Sequence, residues 1–191
     1  RSRGLGDVYK RQPYTHSKKA HGHPDHDVLW SRAASLGVPM AIHPTFEPFW
    51  AAPVRFKRLG MARELFYNVM LKQGVQQAFF SFIALGTLDR IPDLKLGILE
   101  AGAGWIGSFL DRADAVNETP SGLMAGLKRR PTEYFREQCF ISGDPDETAL
   151  SYVIDHMGAE CFMWATDYPH PDHPGTWANS LEKLVAPLSP E

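Results

Sequence analysis

The sequence predicts an α/β protein built on a parallel sheet, and three observations carry that expectation. Four short apolar runs, at 38–42, 94–99, 139–142 and 160–165, alternate with stretches of helical periodicity. The first of them, Val38-Pro39-Met40-Ala41-Ile42, is a continuous apolar run, which fits a strand covered on both faces. Three of the four lead into a residue that can do chemistry: His43, Glu100 and Asp167. In parallel α/β proteins the working groups gather at the carboxyl ends of the strands.

The elements follow in order. Asp25 or Asp27 is placed to cap a first helix whose apolar face is Val28, Leu29, Trp30, Ala33, Ala34 and Leu36, and Gly37 ends it. Strand 38–42 then runs into His43. Residues 44–58 are rich in proline and aromatics without a sustained period, which predicts a long loop folded over something. Helices are expected at 62–72 and 75–89, the second facing a core with Ala78, Phe79, Phe82, Ile83 and Leu85. Pro92-Asp93 makes a turn into strand 94–99 and Glu100. Ala101-Gly102-Ala103-Gly104 opens a helix over 105–116. Residues 117–130 are ambiguous between loop and short helix. One or two helical turns at 131–137, strand 139–142, a helix capped by Asp146 and ending near Gly158, and strand 160–165 follow. A loop at 168–175 holds His170 and His173, and a last helix spans 176–185.

Alternating strands and helices imply right-handed crossovers. A closed eight-stranded barrel needs about 250 residues. Four strands in 191 residues therefore predict roughly the C-terminal half of a (β/α)8 TIM-barrel. The opening segment 1–12 is basic and turn-prone, and reads as a non-native or disordered leader, which leaves 13–191 as a partial barrel domain.

Composition narrows the function classes. With 43% hydrophobic and 12% aromatic residues the chain has the makings of a core, which excludes wholesale disorder. Twenty basic against 22 acidic residues give a net charge of −2, which argues against binding nucleic acid by bulk charge. No apolar run approaches about 18 residues, so no membrane partner is expected. Two cysteines make no disulfide framework; Cys139 and Cys161 read as buried packing residues of a cytoplasmic protein. Exposed strand edges of a half-barrel would favour self-association.

The strand-end residues each admit two readings. His43 is either a histidine hydrogen-bonded to backbone or a metal ligand. Asp167 is either a turn residue before Pro169 or a carboxylate that binds a metal and passes protons. Glu100 is either a loop salt bridge or a carboxylate aimed into the same mouth. Gly102-Ala103-Gly104 lacks the pattern of a nucleotide loop. Phe46, Phe49, Trp50 and Phe56 are candidates to wall a pocket. Trp105 and His170 join Phe46 and Trp50 as candidate substrate contacts. His21, His23 and His26 follow a polar stretch rather than an apolar strand, which places them on a surface or rim loop and not in the metal pair of a first strand.

With these residues placed, the chain resembles the amidohydrolase-related family that includes aminocarboxymuconate-semialdehyde decarboxylase and related metal-dependent hydrolases and decarboxylases. Four stretches carry the resemblance: 27–30 with 36–43, 91–96, 100–105 with 110–114, and Thr166-Asp167-Tyr168-Pro169-His170. The resemblance implies a metal-bearing β/α barrel in which His43 and Asp167 bind a divalent ion, Zn²⁺ first and Mn²⁺ second, and Asp167 assists proton transfer. It implies hydrolysis or non-oxidative decarboxylation of a small carboxylated molecule, with a further pair of metal ligands upstream of this stretch. Glu100 departs from the pattern, because many decarboxylases of the family carry histidine there. A catalytically inert barrel serving as a binding scaffold is the alternative.

Overall fold

A computed structural model describes residues 17–44, 69–70, 72–119, 126–144, 146–168 and 177–188. Strands β1 (Met40–Ile42), β2 (Leu96–Ile98), β3 (Cys139–Gly143) and β4 (Phe162–Trp164) form one sheet in the order β1-β2-β3-β4. Every pairing is parallel, with Ile42 opposite Ile98, Ile98 opposite Ile141 and Ile141 opposite Phe162. The expected parallel α/β architecture is what the chain adopts.

Helices α1 (Asp27–Ser35), α2 (Lys72–Ala84), α3 (Thr87–Arg90), α4 (Ile106–Asn117), α5 (Pro131–Gln138), α6 (Leu150–Met157) and α7 (Trp177–Val185) alternate with the strands. The core lies between one sheet face and these helices. Met40, Ile42, Leu96, Ile98, Cys139 and Ile141 meet Phe79, Phe82, Ile106, Leu110, Phe135 and Leu150 there. Pleating turns the intervening residues to the other face. On that face Phe140 and Met163 are each 40% exposed, so the described helices cover one side of the sheet and not both.

Several boundaries differ from expectation, each for a local reason. The first helix begins at Asp27 after a 3₁₀ turn at Pro24–His26, and its N-cap is His26, which makes no side-chain capping bond. Asp27 instead pairs with Arg90, through Nε at 2.6 Å and Nη2 at 3.0 Å. Its buried face is only Trp30 and Ala33; Val28, Leu29 and Leu36 are exposed. Gly37 does end it, with φ at 62°. Helix α2 runs through Gly74 as one element, and the break comes later, at Gly86 with φ 71°, where α3 begins. Asp146 does not cap α6, which starts at Leu150 behind Ala149; Glu147 takes the local backbone donors. Among the described residues no helix is long and apolar enough to cross a membrane. Both cysteines are free and buried.

Candidate active site

The carboxyl ends of the strands form a rim of acidic and basic side chains. His43 follows β1, Asp144 follows β3, and Glu100 and Asp167 lie two and three residues beyond β2 and β4. Residue 43 is two on from Ala41 and residue 144 two on from Ser142. Alternation therefore sends both toward the face opposite the helix-packed core.

His43 and Glu100 form an ion pair through Nε2 and Oε2. The other ring nitrogen, Nδ1, lies 2.6 Å from the carbonyl of Pro44, which fixes the ring and leaves Nε2 facing the rim. The hydrogen bond to Glu100 holds the imidazole above its ordinary pKa, partial burial opposes this, and the Pro44 carbonyl and the charges of Glu100 and Asp167 add to the rise. Asp167 thus stands within electrostatic reach of His43 although their strands are at opposite edges of the sheet. Its Oδ2 atom is buried.

Both strand-end carboxylates sit on left-handed backbone: φ is 51° at Glu100 and 52° at Asp167. Non-glycine residues adopt this region at a cost, and such outliers gather at ligand and active sites. At Glu100 the left-handed turn breaks the pleat alternation, and the carboxylate meets His43 on the neighbouring strand end.

The turn after Glu100 is held from β3. Glu147 accepts from the amides of Ala103 at 2.7 Å and Gly104 at 3.0 Å, and from Asp144 N at 3.1 Å. A Cβ at Gly102 would stand 2.5 Å from Glu147 Oε1 and 2.8 Å from Lys72 Nζ, and φ there is 62°, so glycine is required on both counts. Trp105 locks the turn from below. Its indole N–H donates to Ala101 O at 3.1 Å and Gly102 O at 2.8 Å, and its ring packs edge-on against Phe109 and Phe79.

The structure thus gathers His43, Glu100 and Asp167 at one end of the sheet and seats Trp105 under the Gly102 turn. Phe46, Trp50 and His170 lie outside the described residues, as do Phe49, Phe56 and His173. Sequence reasoning missed Asp144, Glu147 and Lys72, whose Nζ lies 3.1 Å from Asp144 Oδ2. Asp144 follows an apolar strand as His43 does, and the same strand-end rule would have found it. No local signal marks Lys72, which arrives from α2.

The histidine segment 21–26 lies on the surface, with Pro24 and Asp25 exposed, but away from the mouth, so of the two expected placements the surface one holds and the rim one does not. Gly22 packs against the far end of α2: its N–H donates to Ser81 Oγ at 2.9 Å, and Thr87 Oγ1 donates to its carbonyl at 2.7 Å. Ser81 is nine residues on from Lys72, about 13 Å along a helix axis. Burial, with the charge of His26 adding, pushes the His21 pKa down to about 4.

Comparison with known proteins agrees with this architecture. The amidohydrolase family profile matches residues 9–191. Decarboxylase orsB of Emericella nidulans is 28% identical over 160 residues, covering 78% of this chain and 45% of that protein. Amidohydrolase map2389c of Mycobacterium avium subsp. paratuberculosis K-10 superposes with a TM-score of 0.72 at 18% identity, over 88% of this chain and 42% of that one. A dihydroxybenzoic acid decarboxylase of Polaromonas sp. JS666, solved with manganese and the inhibitor 2-nitroresorcinol, gives 0.58 at 18% identity, over 89% and 56%. At these identities the structural likeness establishes the fold, that of an amidohydrolase β/α barrel, and the chain spans about half the length of these relatives. With a match running from residue 9 to residue 191, the chain belongs to the amidohydrolase family.

Proposed function

We propose that the protein containing this chain is a metal-dependent enzyme that hydrolyses or non-oxidatively decarboxylates a small carboxylated molecule. The observation that carries the reading is the His43–Glu100 ion pair between two strand ends at one mouth of a parallel sheet, with Asp167, from a third strand end, near enough for its charge to act on His43. An ion-paired imidazole among carboxylates on strained backbone supports chemistry over an inert scaffold.

The donor set fits a divalent cation. His43 presents Nε2 with Nδ1 tied to backbone, the usual posture of a ligating histidine. Asp167 supplies a carboxylate whose charge His43 already feels. Among the described residues no group of three ligating side chains could hold an ion, and the reading assigns the remaining donors to residues outside them. Such an ion supplies Lewis acidity toward a substrate carboxylate or carbonyl and lowers the pKa of its bound water toward about 7. Imidazole with carboxylate suits Zn²⁺ and tolerates Mn²⁺; zinc is our first assignment, and the manganese in the Polaromonas enzyme supports the second.

The chain's own residues then divide the work. Asp167 carries the proton at its carboxylate. Glu100, bonded to His43 Nε2 here, would give up that hydrogen bond when Nε2 is a ligand and would then be free to orient substrate or water. Trp105 keeps the turn behind Glu100 in place, and Phe46, Trp50 and His170 are assigned to the substrate's surroundings.

Metal analysis of the full-length protein tests the reading. His43→Ala and Asp167→Asn are each expected to lower bound zinc or manganese from near one equivalent to a small fraction of it. Full metal content in both variants overturns the site.

A further inference from the structure

A carboxylated substrate meets an acidic rim. Glu100, Asp144, Glu147 and Asp167 all lie at or beside the strand ends, against the imidazole of His43 and the ammonium of Lys72. Lys72 does not belong to the sheet. It lies on α2, and its Nζ reaches Asp144 Oδ2 at 3.1 Å. Asp144 follows β3, which lies between the strand that leads to Glu100 and the strand that leads to Asp167. The ammonium therefore stands over the middle of the row.

Two features keep it there. Gly102 leaves open the space that a Cβ would take 2.8 Å from Nζ. Asp144, 8% exposed, anchors the ammonium from below, while the Lys72 side chain stays 36% exposed. A lysine ammonium has three N–H donors. Among the described residues its hydrogen bond goes to Asp144, and its exposure makes the ammonium accessible to an anion.

We propose that Lys72 receives the carboxylate of the substrate, with Asp144 as the counter-ion that holds the ammonium in place and competes with the incoming anion. This deepens the reading of the mouth as an active site and rests on it. Charge-assisted hydrogen bonds are the strong ones, and lysine serves them as a compact point charge. An ion pair kept only for stability makes a different forecast, because removing Asp144 would then not improve the binding of anything.

The experiment uses the metal-loaded full-length protein and two probes, 2-hydroxybenzoate and its neutral amide, titrated by calorimetry. Lys72→Met is expected to weaken 2-hydroxybenzoate by about tenfold or more and leave the amide unchanged. Lys72→Arg restores most of the affinity. Asp144→Asn is expected to tighten 2-hydroxybenzoate several-fold, because the competing anion is gone. Lys72→Met leaves the buried Asp144 carboxylate without its ammonium, so Lys72→Met/Asp144→Asn is the second variant; it is expected to fold and to bind the acid as weakly as Lys72→Met.

Equal affinity for the acid in wild type and the double variant overturns the proposal, as does a wild type that fails to bind the acid. So does parallel loss of acid and amide, which marks a collapsed pocket rather than a lost charge. The two readings fail separately. Metal lost from His43→Ala with acid binding indifferent to Lys72 removes this inference alone. Acid binding that follows Lys72 while metal ignores His43 and Asp167 removes the metal site and keeps the anion contact.

Discussion

His21 and His43 lie near opposite ends of the molecule and are driven in opposite directions. At the mouth, His43 faces the Glu100 carboxylate and its pKa rises. At the far end of α2, the His21 carbonyl accepts from Trp30 Nε1 at 3.0 Å, and burial, with the charge of His26 adding, pushes the His21 pKa down to about 4. What separates them is the surroundings, a carboxylate beside His43 and burial with a second histidine beside His21. The mouth brings ionisable groups together, whereas Gly22 sits in tight backbone contact with α2, and variants at the two places should fail in different ways.

The largest effect is expected at the far end of α2. A Cβ on Gly22 would run into the Ser81 carbonyl and the backbone of Phe82, neither of which is a flexible tip that can swing aside. Gly22→Ala should therefore destabilise the protein by about 3 kcal/mol, the upper range for overpacking. Urea unfolding measures this, and a midpoint within error of wild type would break the description of that end as closely packed.

The next effect is a pH dependence from His21. Its pKa is near 6.5 when unfolded and about 4 when folded, so between those values the unfolded chain binds the extra proton. The contribution of neutral, buried His21 is complete above pH 6.5 and is lost as pH falls toward 4. The full difference is on the order of 2–3 kcal/mol. Urea midpoints at pH 7.5 and 4.5 in wild type and His21→Gln test this: the variant should lose less on acidification. Equal losses would remove His21 as the cause.

How much of this was legible in the sequence follows from how local each signal is. The strands and their chemical endings were legible because an apolar run next to His43 or Asp167 is a local pattern, and the parallel order follows from the alternation with helices. Glu100 was legible as a position. Its left-handed backbone and its turn onto His43 were not, since both depend on the contact between two strands. Lys72, Asp144 and Glu147 escaped because their partners lie in separate segments: Lys72 and Asp144 are 72 positions apart, and Glu147 reaches 44 positions back to Ala103. The face of α1 was misjudged for the converse reason. Val28, Leu29 and Leu36 satisfy an amphipathic count, but only Trp30 and Ala33 are buried, with Ala34 packed beside them, and a single sequence does not say how wide a stripe its neighbours will cover.

The smallest effect returns to the mouth and sharpens the contrast. Glu147 satisfies three backbone donors, at Ala103, Gly104 and Asp144, with its two carboxylate oxygens. Glutamine has the same shape but one acceptor oxygen, and its amide group turns a donor toward a donor. Glu147→Gln should therefore cost about 1–2 kcal/mol. That cost should fall on the turn, because Glu147 ties two loops together and is absent from the buried core. Hydrogen exchange separates the two cases. Amides 103 and 104 should lose protection while those of Leu96 to Ile98, in the sheet, keep theirs; in Gly22→Ala protection should fall throughout. Uniform loss in Glu147→Gln would mean that the turn and the sheet open as one unit, and the mouth would then have no local stability of its own.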